Sequence, residues 1–139
     1  MDGIKVFTGS AHPELALEIC DHLGLPLGES ESFKFKNDNT FVRIKENVRQ
    51  QDVYVIQPSA PPVNDHFMEL LLMLDAFRRA SAKSVTVVVP YYPYVRSDKK
   101  DEPRISITAR LIADLLQAAG ADRVLTLDLH APQIHGFFR

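Results

Sequence analysis

Short apolar runs alternate along this chain with longer stretches whose apolar residues recur at helical spacing, and that alternation predicts its elements. Ile4-Lys5-Val6-Phe7 reads as a strand, followed by the turn residues Thr8, Gly9 and Ser10. Ser10 is placed to cap the next helix, whose first turn tolerates Pro13 because no intrahelical N–H is needed there. Ala16, Ile19, Cys20 and Leu23 share one helical face, and Gly24 supplies the stop. Phe33–Phe35 and Phe41–Ile44 read as two strands around Lys36-Asn37-Asp38-Asn39-Thr40, an Asn/Asp-rich hairpin signal. Val53–Ile56 and Val85–Val89 are nearly continuous apolar runs, as expected of strands covered on both faces, and Val124–Leu127 is the sixth strand.

Helices separate the later strands. Asn64 or Asp65 is placed to cap a segment reaching Ala80, with Asp65 and Glu69 early and Arg78-Arg79 late, a charge order that complements the helix dipole. Phe67, Met68, Leu70–Leu74 and Phe77 cover most of its circumference, so it is expected to be buried on more than one side, the second facing another subunit. Ser106 or Thr108 starts the last helix, packed through Leu111, Ile112, Leu115, Leu116 and Ala119 and ended by Gly120. Strands alternating with helices predict a three-layer α/β fold with a mainly parallel sheet, from which a hairpin at residues 33–44 protrudes. Ligands of such sheets sit beyond the carboxyl ends of the strands, which directs attention to the residues after Phe7, Ile56, Val89 and Leu127.

Composition narrows the partners. The 139 residues are the size of one domain, and 45% hydrophobic content excludes disorder over the whole length. Sixteen Lys and Arg against eighteen Asp and Glu leave a charge of -2, so no basic nucleic-acid footprint is expected. The single cysteine, Cys20, excludes a disulfide framework and fits a reducing, cytoplasmic setting. No apolar run approaches the ~20 residues that span a bilayer.

Two strand-end segments carry candidate chemistry. Arg96-Ser97-Asp98-Lys99-Lys100-Asp101-Glu102-Pro103-Arg104 brings four cations and three carboxylates together after the fifth strand. Guanidinium and ammonium groups there suit a polyphosphate, and a solvated surface loop accounts for the same run equally well. Asp128-Leu129-His130 follows the sixth strand; its carboxylate and imidazole suit a divalent ion or a bound water, or else a capped strand end with a satisfied histidine. Thr8-Gly9-Ser10 before a helix is a candidate anion cradle. His12, His22 and His66 read as surface residues. The chain has no P-loop, no GxGxxG and no nucleophile elbow.

The run Asp128-Leu129-His130-Ala131-Pro132-Gln133-Ile134-His135-Gly136-Phe137-Phe138 closely resembles the divalent-cation motif of the ribose-phosphate pyrophosphokinases, the phosphoribosyl pyrophosphate (PRPP) synthases. The likeness extends through Phe7-Thr8-Gly9-Ser10, Ile44–Arg49, Pro62-Val63-Asn64-Asp65 leading into Met68-Glu69-Leu70-Leu71, Arg78–Ala82, Arg96–Lys100 and Ala118–Asp122. It implies the N-terminal domain, residues 1–139, of an enzyme with two type I phosphoribosyltransferase-like domains. That enzyme transfers the β,γ-diphosphate of ATP to ribose 5-phosphate with Mg2+ and assembles as dimers into hexamers. In the family the positions of Phe35, Asn37 and Asn39, at the hairpin tip, reach across a subunit boundary to adenine. Those of Arg96 and Ser97 contact ATP, Lys99 and Lys100 are candidate phosphate contacts, and His130 and Asp128 are the metal-binding positions.

Four positions depart from the family pattern: Asn39 where Glu is usual, Ser97 where Gln is usual, His135 where Gln or Met is usual, and Arg139 where many members have Asp. The catalytic basic loop and the ribose 5-phosphate motif belong to the family's second half, so no catalytic residue is expected here and the 139-residue chain alone is expected to be inactive. Asn39 and Ser97 motivate an alternative, a non-catalytic regulatory subunit associated with PRPP synthase. An ordinary phosphoribosyltransferase of the same fold is a third reading, disfavoured because its Asp-Asp binding motif is missing.

Overall fold

The computed structural model describes residues 2–90, 93–94, 103–104 and 106–126. In chain order the elements are β1 (Ile4–Thr8), α1 (Pro13–Leu23), β2 (Ser30–Lys34), β3 (Thr40–Ile44), β4 (Asp52–Ile56), α2 (Val63–Arg79), β5 (Ser84–Val88), α3 (Thr108–Ala119) and β6 (Arg123–Leu125). β1, β4, β5 and β6 form a parallel sheet in that order, while β2 and β3 pair only with each other, antiparallel. A parallel bridge from Val6 to Leu27 lies on the side of β1 away from β4. The chain thus moves outward in one direction after β1 and in the other from β4, which makes the β1–β4 crevice the topological switch point where such sheets place ligands.

Side chains alternate across each strand, so the sheet has two apolar faces. Val53, Val55, Val85 and Val87 join Phe7, Leu70, Met73, Leu74, Phe77, Ile112 and Leu116 in the larger core beneath α2 and α3. Val6 and Ile56 meet Ala16 and Cys20 of α1 on the other face. This is the three-layer arrangement the alternation of elements predicts. The Phe7 and Phe77 rings, 4.9 Å apart between centroids, join the first strand to the middle of α2. Gly28 is fixed by the same ring: a Cβ there would come within 2.6 Å of Phe7.

Several boundaries differ from the sequence expectation for local reasons. The first hairpin strand is Ser30–Lys34, and Phe35 already belongs to the turn, where its N–H donates to the Asn39 carbonyl at 2.8 Å. Ser10 does not cap α1; His12 occupies the cap position without a side-chain bond to the helix backbone, and the Ser10 hydroxyl is engaged elsewhere. Neither Asn64 nor Asp65 caps α2, which begins at Val63 behind Pro62. Asn64 instead accepts a hydrogen bond from the Tyr94 hydroxyl. Thr108 does start α3, though the cap residue is Ile107 and makes no side-chain bond. Of the sixth strand, Arg123–Leu125 is observed and Leu127 lies outside the described residues. His66 is half-buried rather than a plain surface residue, its Nδ1 lying 2.7 Å from the Ala60 carbonyl oxygen.

The many-sided apolar surface of α2 is largely covered within this chain. The sheet and α3 take one side, and Val42 and Ile44 of β3 pack on the same core from the hairpin. Met68 remains half exposed. Because Phe77 is fully buried against Phe7, Phe77→Ala is expected to cost about 3–5 kcal/mol. Urea unfolding of the variant reads this directly, and a loss below about 1 kcal/mol would contradict the packing described.

Candidate functional site

The turn after β1 reaches the switch point as Gly9-Ser10, where the Gly9 N–H donates to the Ile56 carbonyl at 3.0 Å. The Gln57 side chain there leaves no room for another, since a Cβ on Gly9 would fall 2.3 Å from its amide. The cradle that a Thr-Gly-Ser turn before a helix offers to an anion is filled from inside the molecule. Glu69 of α2 places its carboxylate there, and its Oε1 accepts from the Ser10 N–H at 3.0 Å and the Ser10 hydroxyl at 2.8 Å. Gln57 Nε2 donates to the same oxygen at 2.6 Å and to the His66 carbonyl at 3.1 Å, while Gln57 Oε1 accepts from the Ala11 N–H at 3.1 Å.

Glu69 is only 2% exposed, so its charge depends on these donors. Burial pushes its carboxyl up, but the Ser32 side chain, Ser10 and Gln57 outweigh burial and hold it below the ordinary carboxylate value. Oε2 is buried and none of the described residues gives it a formed hydrogen bond. Ser10, Ser32 and Glu69 together line two crevices on either side of this contact, of about 290 and 370 Å³. Ser32 lines both crevices beside the Glu69 carboxylate.

The hairpin presents two unlike faces. Phe33 and Phe41 are directly opposed across β2 and β3, with ring centroids 4.9 Å apart, and Phe35 adds an edge-on ring 5.3 Å from Phe33. The Arg43 guanidinium lies 5.1 Å from the centre of the Phe41 ring. Phe33 and Phe35 are nearly half exposed, so the plate is open to a partner. At the tip, Asp38 takes a left-handed backbone (φ 66°) and the Asn37 Oδ1 accepts from the Asn39 N–H at 3.2 Å. Asn37 and Asn39 are exposed, and this geometry brings Phe35, Asn37 and Asn39 together in one turn.

The other candidate residues, Arg96, Ser97, Lys99, Lys100, Asp128 and His130, lie outside the described residues. The strand ends that precede them are adjacent, for the Val89 N–H donates to the Leu125 carbonyl at 2.8 Å and the Thr126 hydroxyl to that of Pro90 at 3.4 Å. Both segments therefore depart from neighbouring points on the carboxyl edge of the sheet. Among the described residues no three His, Cys, Asp or Glu side chains gather to hold a metal ion.

Residues 4–120 match the family described as the N-terminal domain of ribose phosphate pyrophosphokinase. The chain belongs to that family. It is 59% identical to a ribose-phosphate pyrophosphokinase of Deinococcus radiodurans over 136 residues, covering 98% of this chain and 42% of that protein. A putative ribose-phosphate pyrophosphokinase of Streptomyces coelicolor is 56% identical, with 99% of this chain and 44% of the relative covered. The crystal structure of phosphoribosylpyrophosphate synthetase from Mycobacterium smegmatis superposes with a TM-score of 0.96 at 46% identity, over 99% of this chain and 46% of that one. The α/β fold expected from the sequence is thus that of a pyrophosphokinase domain. The chain spans less than half the length of these relatives.

Glu69 and Gln57 were not singled out from the sequence as functional. The available signal was a carboxylate within an apolar stripe, between Met68 and Leu70, since an acidic side chain is almost never fully buried without partners. Because its folded value is depressed, Glu69 contributes stability above its unfolded value and loses it as pH falls through the folded one. Wild type is therefore expected to lose stability on acidification below about pH 4.5, and Glu69→Gln to flatten that part of the profile. Denaturant unfolding across this range is the check; equal acid slopes in the two proteins would contradict it.

Proposed function

We propose that this chain is the amino-terminal domain, residues 1–139, of a ribose-phosphate pyrophosphokinase that transfers the diphosphate of ATP to ribose 5-phosphate, giving PRPP and AMP for nucleotide biosynthesis. The observation that carries the reading is the family match over residues 4–120, joined to an exposed aromatic hairpin whose tip gathers Phe35, Asn37 and Asn39. An aromatic ring beside two carboxamides suits a purine base: the ring stacks, and the amides donate to or accept from its edge. In this reading the tip serves the nucleotide of a neighbouring subunit, within dimers that assemble to a hexamer. Arg96 and Ser97 contact ATP, with Lys99 and Lys100 beside its phosphates.

Asp128 and His130 would hold Mg2+. A carboxylate oxygen is the hard donor that this ion takes, most of its shell being left to water and phosphate oxygens. When bound, the ion spreads the charge of the transferring diphosphoryl group, and the Arg96 guanidinium acts on the same charge. Turnover requires the second half of the protein, which the relatives possess beyond the span matched here. The proposed setting is cytoplasmic, with neither membrane nor nucleic acid as a partner; among the described residues no helix is long and apolar enough to cross a membrane.

The test is formation of AMP and PRPP from ATP and ribose 5-phosphate by the protein at its relatives' full length. The 139-residue chain alone is expected to give no turnover. Stacking on a base is worth roughly 1–3 kcal/mol, so Phe35→Ala is expected to raise the KM for ATP about tenfold. Asn39 and Ser97, where the family usually has Glu and Gln, favour a second reading as a non-catalytic synthase-associated subunit. A full-length protein without turnover that activates or inhibits a catalytic synthase would establish that alternative.

A further inference from the structure

β2 alternates strictly, and its two faces do different things. Phe33 points with Phe41 into the aromatic plate, whereas Ser32 and Lys34, two residues apart, turn toward α2. They face two carboxylates four residues apart on one helical face: Lys34 Nζ donates to Asp65 Oδ2 at 2.8 Å, and Ser32 lines the same crevices as Glu69. Asp65 and Glu69 bound the same crevice as Ser32 and Lys34. The Lys34–Asp65 pair is exposed and worth little alone. Glu69 differs, since its other oxygen is already bound by Ser10 and Gln57 at the carboxyl ends of β1 and β4. One carboxylate therefore links the hairpin to the two strands at the switch point.

We propose that Glu69 and Asp65 are positioning residues that hold the hairpin, through Ser32 and Lys34, at the angle its tip needs to meet the base of a nucleotide. Neither carboxylate touches the nucleotide; both act through the orientation of Phe35, Asn37 and Asn39. The proposal rests on the function assigned above to the hairpin tip. Apolar contact alone leaves this angle less defined, because Val42 and Ile44 pack on the core from β3, whereas β2 turns the polar Ser32 and Lys34 to that face. The Lys34–Asp65 bond, with Ser32 set beside the buried Glu69 carboxylate, supplies what that contact lacks. The base of the hairpin is tied separately, by Lys5 Nζ donating to Glu46 Oε1 at 2.8 Å.

The test uses the full-length protein with Ser32→Ala and Lys34→Ala combined, which removes the hairpin side of the seam and leaves Glu69, Ser10 and Gln57 intact. Amide hydrogen exchange across residues 30–44 is expected to quicken about tenfold, with β1, β4 and α2 unchanged. The KM for ATP is expected to rise about fivefold while kcat stays within about twofold. Unchanged exchange in the hairpin would overturn the proposal. So would faster exchange with an unaltered KM, provided that Phe35→Ala does raise KM. If Phe35→Ala also leaves KM unaltered, the failure lies with the function assigned to the tip. Restoring Ser32 alone is expected to recover most of the protection, because its partner is the buried carboxylate; recovery with Lys34 alone would contradict the role given to Glu69.

Discussion

A carboxylate taken out of water must be met by donors, and at Glu69 those donors come from parts of the chain far apart in sequence. Ser10 lies in the turn after β1 and Gln57 just beyond β4, and the two converge on one oxygen from a helix that starts after both strands. Removing the carboxylate would strand two N–H groups and a hydroxyl together, which is why the arrangement holds as a unit. It also decides what the switch-point turn does not do. A Thr-Gly-Ser turn ahead of a helix is open to an external anion only if nothing inside the protein uses its N–H groups, and here the Ile56 carbonyl takes that of Gly9 and Glu69 that of Ser10.

That internal satisfaction leaves other parts of the carboxyl edge as the candidates for the proposed nucleotide site. The segments after β5 and β6 leave from adjacent points, and the hairpin, which lies outside the parallel sheet, presents its aromatic plate to solvent. A hairpin has no neighbouring strands to fix its direction. Its apolar edge rests on α2 through Val42 and Ile44, and its polar edge meets the same helix through Ser32 and Lys34. The many-sided apolar character of α2 follows from this position: it packs at once on a sheet, a helix and a hairpin.

Much of the architecture was legible because it rests on periodicity. The apolar runs of β4 and β5 read as doubly covered strands, and Gly24 and Gly120, both at positive φ, end their helices as expected. Helix starts were less legible, since Ser10, Asn64 and Asp65 have the right chemistry for caps but are drawn into longer-range bonds with Glu69, Tyr94 and Lys34. The start of β2 was hidden for another reason. Ser30-Glu31-Ser32 carries no apolar alternation, because one face of that strand works through polar contacts. Of the candidate site, Phe35, Asn37 and Asn39 were found by likeness to a family and the structure brings them into one turn. Glu69 was legible only as an early acidic residue that complements the helix dipole, because the partners that bury it come from distant parts of the chain.

The central claim, that one buried carboxylate couples the hairpin to the body of the domain, is tested most directly by a double-mutant cycle. Unfolding free energies are compared for Ser32→Ala, Glu69→Gln and the two combined. The account expects a coupling of about 0.5–2 kcal/mol between the positions, because the serine hydroxyl loses its partner when the charge is removed. Strict additivity of the two substitutions would contradict it.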